Sequence, residues 1–140
     1  MATRREDILD AITTTLAGTT GVGTRIYRSR VTALARSESP AIVIEPAKDV
    51  CEQNTSLPTL DWSLLVRIVV VSRATIPDQA ADPTIESLHG LLMADLTLGG
   101  LAIDVQPVQT TFDFVEADQP AAVIVCEYLV KYRTTVTSLS

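Results

Sequence analysis

The sequence predicts an α+β fold in which two helices pack on one face of a mostly antiparallel sheet, in the order α-β-β-β-α-β-β. Two segments place apolar residues at helical spacing, and glycines follow each of them. Five other segments are rich in β-branched residues or alternate polar with apolar positions, as strands do. The length of 140 residues fits one domain, residues 1–140, whose core needs no disulfide.

The first helix is marked by a capping box at its amino end. Thr3 and Glu6 have the spacing at which each side chain satisfies an unpaired N–H group. The apolar stripe that follows consists of Ile8, Leu9, Ile12 and Leu16. Gly18 and Gly21 are predicted to end this helix, because glycine adopts the left-handed conformation common at helix ends.

Two strands are predicted after the first helix. Residues 25–31 alternate in character, with Arg28 and Arg30 on the same face as Ile26. Residues 41–45 are dense in β-branched side chains, which suits a strand buried on both faces.

A loop and a long third strand come next. Residues 46–60 are predicted to be irregular, because Pro46 and other breakers interrupt them. The third strand, residues 60–73, has about twice the usual strand length. We therefore expect part of it to project beyond the core as a hairpin arm or a contact edge. Arg67 and Arg73 interrupt its otherwise apolar pattern.

The second helix is predicted to begin at Asp82, an N-cap residue that is followed by proline at the first helical position. Residues 75–81 before it are interpreted as a flexible connector. Its apolar stripe consists of Ile85, Leu88, Leu92 and Leu96, and Gly99 and Gly100 stop it.

The last two strands, residues 102–115 and 121–136, are predicted to pair as a hairpin across a short polar turn. Charged side chains interrupt the final strand much as Arg67 and Arg73 interrupt the third; they are Glu127, Lys131 and Arg133. Charges on strands either protect exposed edges from aggregation or form salt bridges between subunits. The sequence leaves both interpretations open.

Charge and composition exclude several classes of function. A net charge of −6 and an aromatic content of 4% argue against a protein that coats DNA or RNA. The most apolar stretch, residues 64–71, is too short to span a bilayer, and the amino end lacks the apolar region of a signal peptide. We therefore expect synthesis in the cytosol. Cys51 and Cys126 are expected to be free, packed thiols.

Candidate groups for catalysis are few. His89 is the only histidine, and Glu86 lies three residues before it on the second helix. We interpret His89 as part of a helix-face ion pair or as a packed imidazole. A two-histidine metal site cannot form, and the glycines of residues 18–25 lack the Lys-Ser/Thr of phosphate-binding loops. We expect no catalytic residue, no cofactor and no metal.

Three segments resemble the phage tail terminator proteins (minor tail protein U-like, tail-completion family). The segment RIYRSRVTALARSESPAIVIEP is similar to an arginine-bearing strand and polar link that lead into a second strand. The segment LHGLLMADLTLGGLAIDVQP resembles the family's second helix and its glycine-marked exit. The segment ADQPAAVIVCEYLVKYRT resembles its closing strand.

The resemblance implies a subunit of a hexameric ring on the head-proximal end of a phage or prophage tail tube. Such a ring stops tube polymerisation and provides the surface for head–tail joining. Its partners would be copies of itself, the tail tube protein and a head-completion or connector protein. DNA would pass through the lumen without specific binding. The chain would be found in the virion tail, and in the host cytoplasm during assembly.

Candidate subunit or tube contacts are Arg28, Arg30, Arg67 and Arg73, chosen on strand position and charge alone. The basic segment that includes Arg28 and Arg30 is either a solvated face or a docking surface for an acidic neighbour. Two alternatives to the terminator stay open: another tail-completion or head–tail connector protein, and a small α+β enzyme or ligand-binding domain.

Overall fold

A computed structural model describes residues 3–29, 39–53, 58–116 and 120–140. This part of the chain contains two α-helices, packed on one face of a five-stranded sheet. In chain order the elements are α1 (Arg4–Thr15), β1 (Ile26–Arg28), β2 (Ala41–Glu52), β3 (Thr59–Arg73), α2 (Pro77–Met93), β4 (Asp104–Val115) and β5 (Ala121–Thr135). The predicted α+β class and the predicted element order are confirmed.

The strands of the described sheet lie in the order β1-β2-β3-β5-β4. Only β1 pairs in parallel, with β2, and the other neighbours are antiparallel. β3 is central and pairs with β5 along its whole length, from Thr59 opposite Thr135 to Arg73 opposite Ala121. The prediction that part of β3 forms a contact edge is therefore wrong, because β3 is an interior strand that also pairs with β2 from Asp61 to Val71. The alternative, that part of β3 projects as a hairpin arm, stays a prediction. The edges of the described sheet are β1 and β4.

The core lies between the helices and one face of the sheet. Even-numbered positions of β3 from Leu64 onward, and those of β5, face the helices and are buried, as are Ile8, Leu9 and Ile12 of α1 and Leu88 and Leu92 of α2. The opposite face, here called the outer face, carries the odd-numbered positions of β3 and β5 and the residues paired with them. Its members include Glu45, Leu65, Arg67, Val69, Val71, Val123, Val125, Glu127 and Leu129, which are half-buried or exposed.

The Thr3 half of the predicted capping box of α1 is confirmed, whereas the carboxylate of Glu6 pairs with Arg28. The backbone N–H of Glu6 donates to the Thr3 hydroxyl at 3.2 Å. The helix ends at Thr15 and a 3-10 turn, Leu16–Gly18, follows. Further on, Gly21 has φ +88, and a Cβ there would lie 3.2 Å from the Thr84 hydroxyl of α2. Glycine is required at this position both by the backbone conformation and by the close approach to α2.

The first helical residue of α2 is Pro77, six residues before Pro83, the predicted first position, so Pro83 lies in the helix interior. Proline is favourable at the first position of a helix, so Pro77 gives the same signal as Pro83. Between the two prolines, Ala80 and Ala81 have a high intrinsic helix propensity, which favours helix in this turn. The helix ends at Met93, so Leu96 lies beyond it and is exposed.

β2 is longer than predicted and includes the first seven residues, 46–52, of the segment interpreted as a loop. It continues through Pro46 to Glu52, with a register irregularity between Pro46 and Lys48. A bulge tolerates the missing N–H of proline, so Pro46 interrupts the register without ending the strand. β1 covers only Ile26–Arg28, and the rest of its predicted length, from residue 30, lies outside the described residues.

No helix in the described ranges combines the length and apolar character that crossing a bilayer requires. Both cysteines are free thiols. Cys126 is buried as predicted, whereas Cys51 is exposed on β2.

Candidate functional site

Arg28, the first predicted contact residue, lies on the helix-facing side of the sheet and points to α1. Its guanidinium is 3.3 Å from the carboxylate of Glu6 and 3.3 Å from that of Asp10. The spacing of these two acids on successive turns of α1 places both beside one cation. The charge of Arg28 is thus used within its own chain.

Arg67 and Arg73 lie on the outer face, opposite to the face on which Arg28 lies. Arg67 is exposed, and in the register of the sheet it stands between Glu45 on β2 and Glu127 on β5. Arg30 lies outside the described residues. The structure therefore does not bring Arg28 together with Arg67 and Arg73, and the contact role of all four stays a prediction.

The location of Arg67 bears on the two interpretations of the strand charges. Edge protection requires an edge strand. Both β3 and β5 have neighbours on each side within the described sheet. The charges of Arg67 and Lys131 on these strands therefore do not protect an edge, which leaves cross-strand pairing and contacts with other chains.

Of the two interpretations of His89, an ion pair with Glu86 or a packed imidazole, the structure shows no ion pair between these two described residues; the imidazole packs against a tyrosine and forms a hydrogen bond with it. Its Nδ1 lies 2.8 Å from the hydroxyl of Tyr128, and the two ring centroids are 5.9 Å apart. Burial raises the pKa of Tyr128 to about 12, and the neighbouring Cys126 thiol adds to the shift. The hydroxyl therefore keeps its proton at neutral pH, and the bond links α2 to β5. Within the described ranges, no cluster of three or more His, Cys, Asp or Glu could hold a metal ion.

A buried carboxylate that the sequence analysis missed joins α1 to the sheet. The side chain of Asp49 is only 7% exposed. It accepts a hydrogen bond from Arg5 at 3.1 Å and another from the hydroxyl of Tyr132. Burial and the bond to Asp49 raise the pKa of Tyr132. Trp62 stacks on Tyr132 with ring centroids 6.2 Å apart. These contacts stabilise the fold. They join residues that are 44 and 83 positions apart in the sequence, so no local sequence pattern predicts them.

An open groove lies between α2 and β4, and it too was missed. α2 packs mainly over β3 and β5, so the helix-facing side of β4 is left uncovered. The groove has two overlapping parts with volumes of about 650 and 760 Å³. We call it the α2–β4 groove; its lining includes Asp78, Asp82, Ile85 and Glu86 of α2 with Thr110 and Phe112 of β4.

The edge strand β4 exposes large apolar side chains beside this groove. Phe112 is 53% exposed and Phe114 is 59% exposed. Both occupy helix-facing positions, opposite the buried Ile124 and Ala122 of β5. The alternation of phenylalanine with polar residues in the sequence indicates a strand, but it does not indicate that this strand lies at the edge of the sheet. Sheet order decides which apolar residues stay exposed.

No model of a protein family matches the chain, and no curated protein matches it. Among solved structures, the chain is similar to a chain in the virion of a native gene transfer agent (GTA) particle. The similarity covers 90% of this chain and 94% of that chain, with a TM-score of 0.53 and 9% sequence identity. At this identity the similarity shows a shared fold.

Proposed function

We propose that this chain is a structural subunit of a phage-like particle, and that within such a particle it is the tail terminator. The observation that carries the proposal is the shared fold with a chain of the gene transfer agent virion, which extends over nearly the whole of both chains. The finer assignment, to the terminator, is supported by the sequence resemblance described above.

The shape of the sheet supports a ring. One edge of the described sheet is the three-residue β1, and the other is the twelve-residue β4. A subunit with such unlike edges has no internal symmetry, so successive copies join through different surfaces, among them the outer face that carries Arg67; such heterologous contacts close into a ring when the rotation per subunit is right. We propose a hexamer that caps the head-proximal end of the tail tube and stops polymerisation.

The charges of the chain are compatible with this role. Arg67, exposed on an interior strand, is available to a neighbouring subunit or to the tube protein. A net charge of −6 disfavours adhesion of DNA, so DNA passes through the lumen of the proposed ring without specific binding. The remaining proposed partner is a head-completion or connector protein, and the proposed location is the virion tail, after assembly in the host cytoplasm. The proposal assigns the chain no catalytic activity.

The test adds purified protein to tail tube protein during polymerisation. We expect shorter tubes that carry one ring at one end in negative-stain images, and hexamers by sedimentation. The His89→Ala variant is the control for catalysis and should cap tubes as the parent does. A strict dimer at every concentration, or tubes of unchanged length, would contradict the terminator. Binding to tubes that are already capped would assign the chain to head–tail connection instead.

A further inference from the structure

Three carboxylates form an acidic stripe on the groove side of α2. Asp78, Asp82 and Glu86 follow one another at intervals of four residues and all line the α2–β4 groove. Like charges at this spacing destabilise a helix by a few tenths of a kcal/mol. Asp78 lies in the first turn, where the helix dipole compensates it, but Asp82 and Glu86 lie beyond that turn. No Lys or Arg of the described residues forms an ion pair with any of the three.

The facing edge of β4 lacks the usual protection against pairing with another strand. Natural edges carry proline, bulges or lysine. β4 has a proline and a register irregularity at Pro107/Gln109, but none of these devices from Thr110 to Val115. The only charge in this part is Asp113, which is negative. Exposed aromatic side chains of the kind that dominate interfaces are present instead, in Phe112 and Phe114.

We propose that the α2–β4 groove binds an extended segment of a different protein chain, which adds as a strand along β4. Strand addition supplies the free edge with backbone hydrogen bonds. The segment carries Lys or Arg side chains at alternate positions facing the acidic stripe, and the apolar stems of these side chains cover Phe112 on the same face of the sheet. In the proposed function it belongs to a neighbouring component of the particle, although the inference itself rests only on the groove.

The geometry of the groove fits such a segment. The amino end of α2 lies beside Phe112, and its later turns lie beside residues 107–110, so α2 and β4 run side by side in opposite directions. Four helical residues advance about 6 Å. Alternate residues of a strand, which share one face, are separated by about 6.8 Å. Basic residues at alternate positions of the bound strand therefore match successive acids of the stripe.

The basic partner is more readily a different chain than a second copy. Arg5, Arg28 and Arg133 are each ion-paired within their own chain, with Asp49, with Glu6 and Asp10, and with Asp61. Arg25 donates to two backbone carbonyls, at 2.8 Å each. Lys48, Arg67 and Lys131 are exposed outside these pairs, but they lie on three different strands, so no described strand of a second copy carries unpaired cations at alternate positions. Asp82 and Glu86 have no basic partner among the described residues.

The test measures binding of a labelled peptide of alternating lysine and valine by fluorescence anisotropy at physiological salt. Its isomer with all lysines before all valines controls for charge alone, and a central proline in the alternating peptide blocks strand addition. Asp82→Lys and Glu86→Lys should each weaken binding of the alternating peptide by at least about fivefold. Glu52→Lys makes the same change of net charge at an exposed position of β2 and should leave the affinity within about twofold. Asp82→Asn serves if the lysine variant unfolds.

Saturable binding of the alternating peptide, lost in both control peptides and in the two groove variants, is the expected result. Equal binding of the alternating and block peptides would overturn the proposal, as would equal effects of Asp82→Lys and Glu52→Lys. If the groove variants change only the self-association of the chain in sedimentation, the occupant is a second copy and the proposed partner is wrong. None of these results depends on tube capping, so the terminator proposal can fail separately.

Discussion

The carboxylate of Asp49 connects α1 to two strands that are distant in sequence. It lies under α1, where Arg5 and Tyr132 both donate to it. A buried carboxylate is tolerated only when partners replace the water that it loses. No local pattern in the sequence indicates this cluster, since residues 46–60 contain breakers and were predicted to be a loop. By contrast, the Thr3 cap of α1 was predicted, because Thr3 and Glu6 are close in the sequence.

Replacing Asp49 by alanine should destabilise the fold by about 2 kcal/mol, because Arg5 and the hydroxyl of Tyr132 lose a partner that water replaces only in part. Asp10→Ala is the matched control. It removes an acid that is 67% exposed beside Arg28, and it should cost less than about 1 kcal/mol. Urea unfolding followed by circular dichroism measures both. If the two variants lose equal free energy of unfolding, burial of the Asp49 carboxylate adds nothing to the stability that its contacts provide.

At the scale of elements, α2 shows that a strong local pattern for a helix start can occur within a helix and not at its first residue. Two prolines, Pro77 and Pro83, each suit the first position of a helix, and the helix begins at Pro77 although only Pro83 follows a typical capping residue, Asp82. The second is tolerated because proline removes a single hydrogen bond, the one its N–H would donate to Gln79, while packing holds the turns on both sides. Thr84, the next residue, donates to the carbonyl of Thr20 at 3.0 Å and ties this turn to the chain after α1.

Replacing Pro83 by alanine should stabilise the protein by up to about 3 kcal/mol, because alanine restores the missing N–H and removes the clash of the proline ring with the preceding turn. Pro77→Ala is the matched control at the first helical position, where proline fits, and it should give no gain. Thermal unfolding of the two variants measures the difference. A gain from Pro77→Ala, or a loss from Pro83→Ala, would contradict this account of where α2 begins.

At the scale of the whole molecule, the sequence predicts the elements better than their arrangement. The apolar alternation of β3 was sufficient to predict that it is a long strand, because the period of two is a local property. Which strands are central depends on pairings between distant segments, and these follow from the packing of the whole sheet. The exposure of Phe112 and the interior location of Arg67 both depend on sheet order. Candidate contact surfaces were therefore the least predictable part of the molecule.

The outer face gives a prediction about assembly that concerns the molecule as a whole. Arg67 is exposed between Glu45 and Glu127, so Arg67→Ala should change the free energy of unfolding by less than about 1 kcal/mol. If Arg67 instead contacts a neighbouring subunit or the tube, the same change should weaken assembly several-fold, and more so at low salt, where such contacts are strongest. Sedimentation over a range of concentrations, beside urea unfolding, measures both quantities.

Arg133→Ala is the control that separates a contact between chains from pairing within one chain. Arg133 also lies on the outer face, but its guanidinium is 2.6 Å from the carboxylate of Asp61, which raises its pKa and occupies its charge within the chain. Its loss should leave assembly unchanged. If Arg67→Ala reduces stability and assembly in parallel, Arg67 acts as a cross-strand partner of Glu45 and Glu127. An interior strand needs no edge protection. If Arg67→Ala therefore weakens assembly without changing stability, the role of the Arg67 charge is contact between chains.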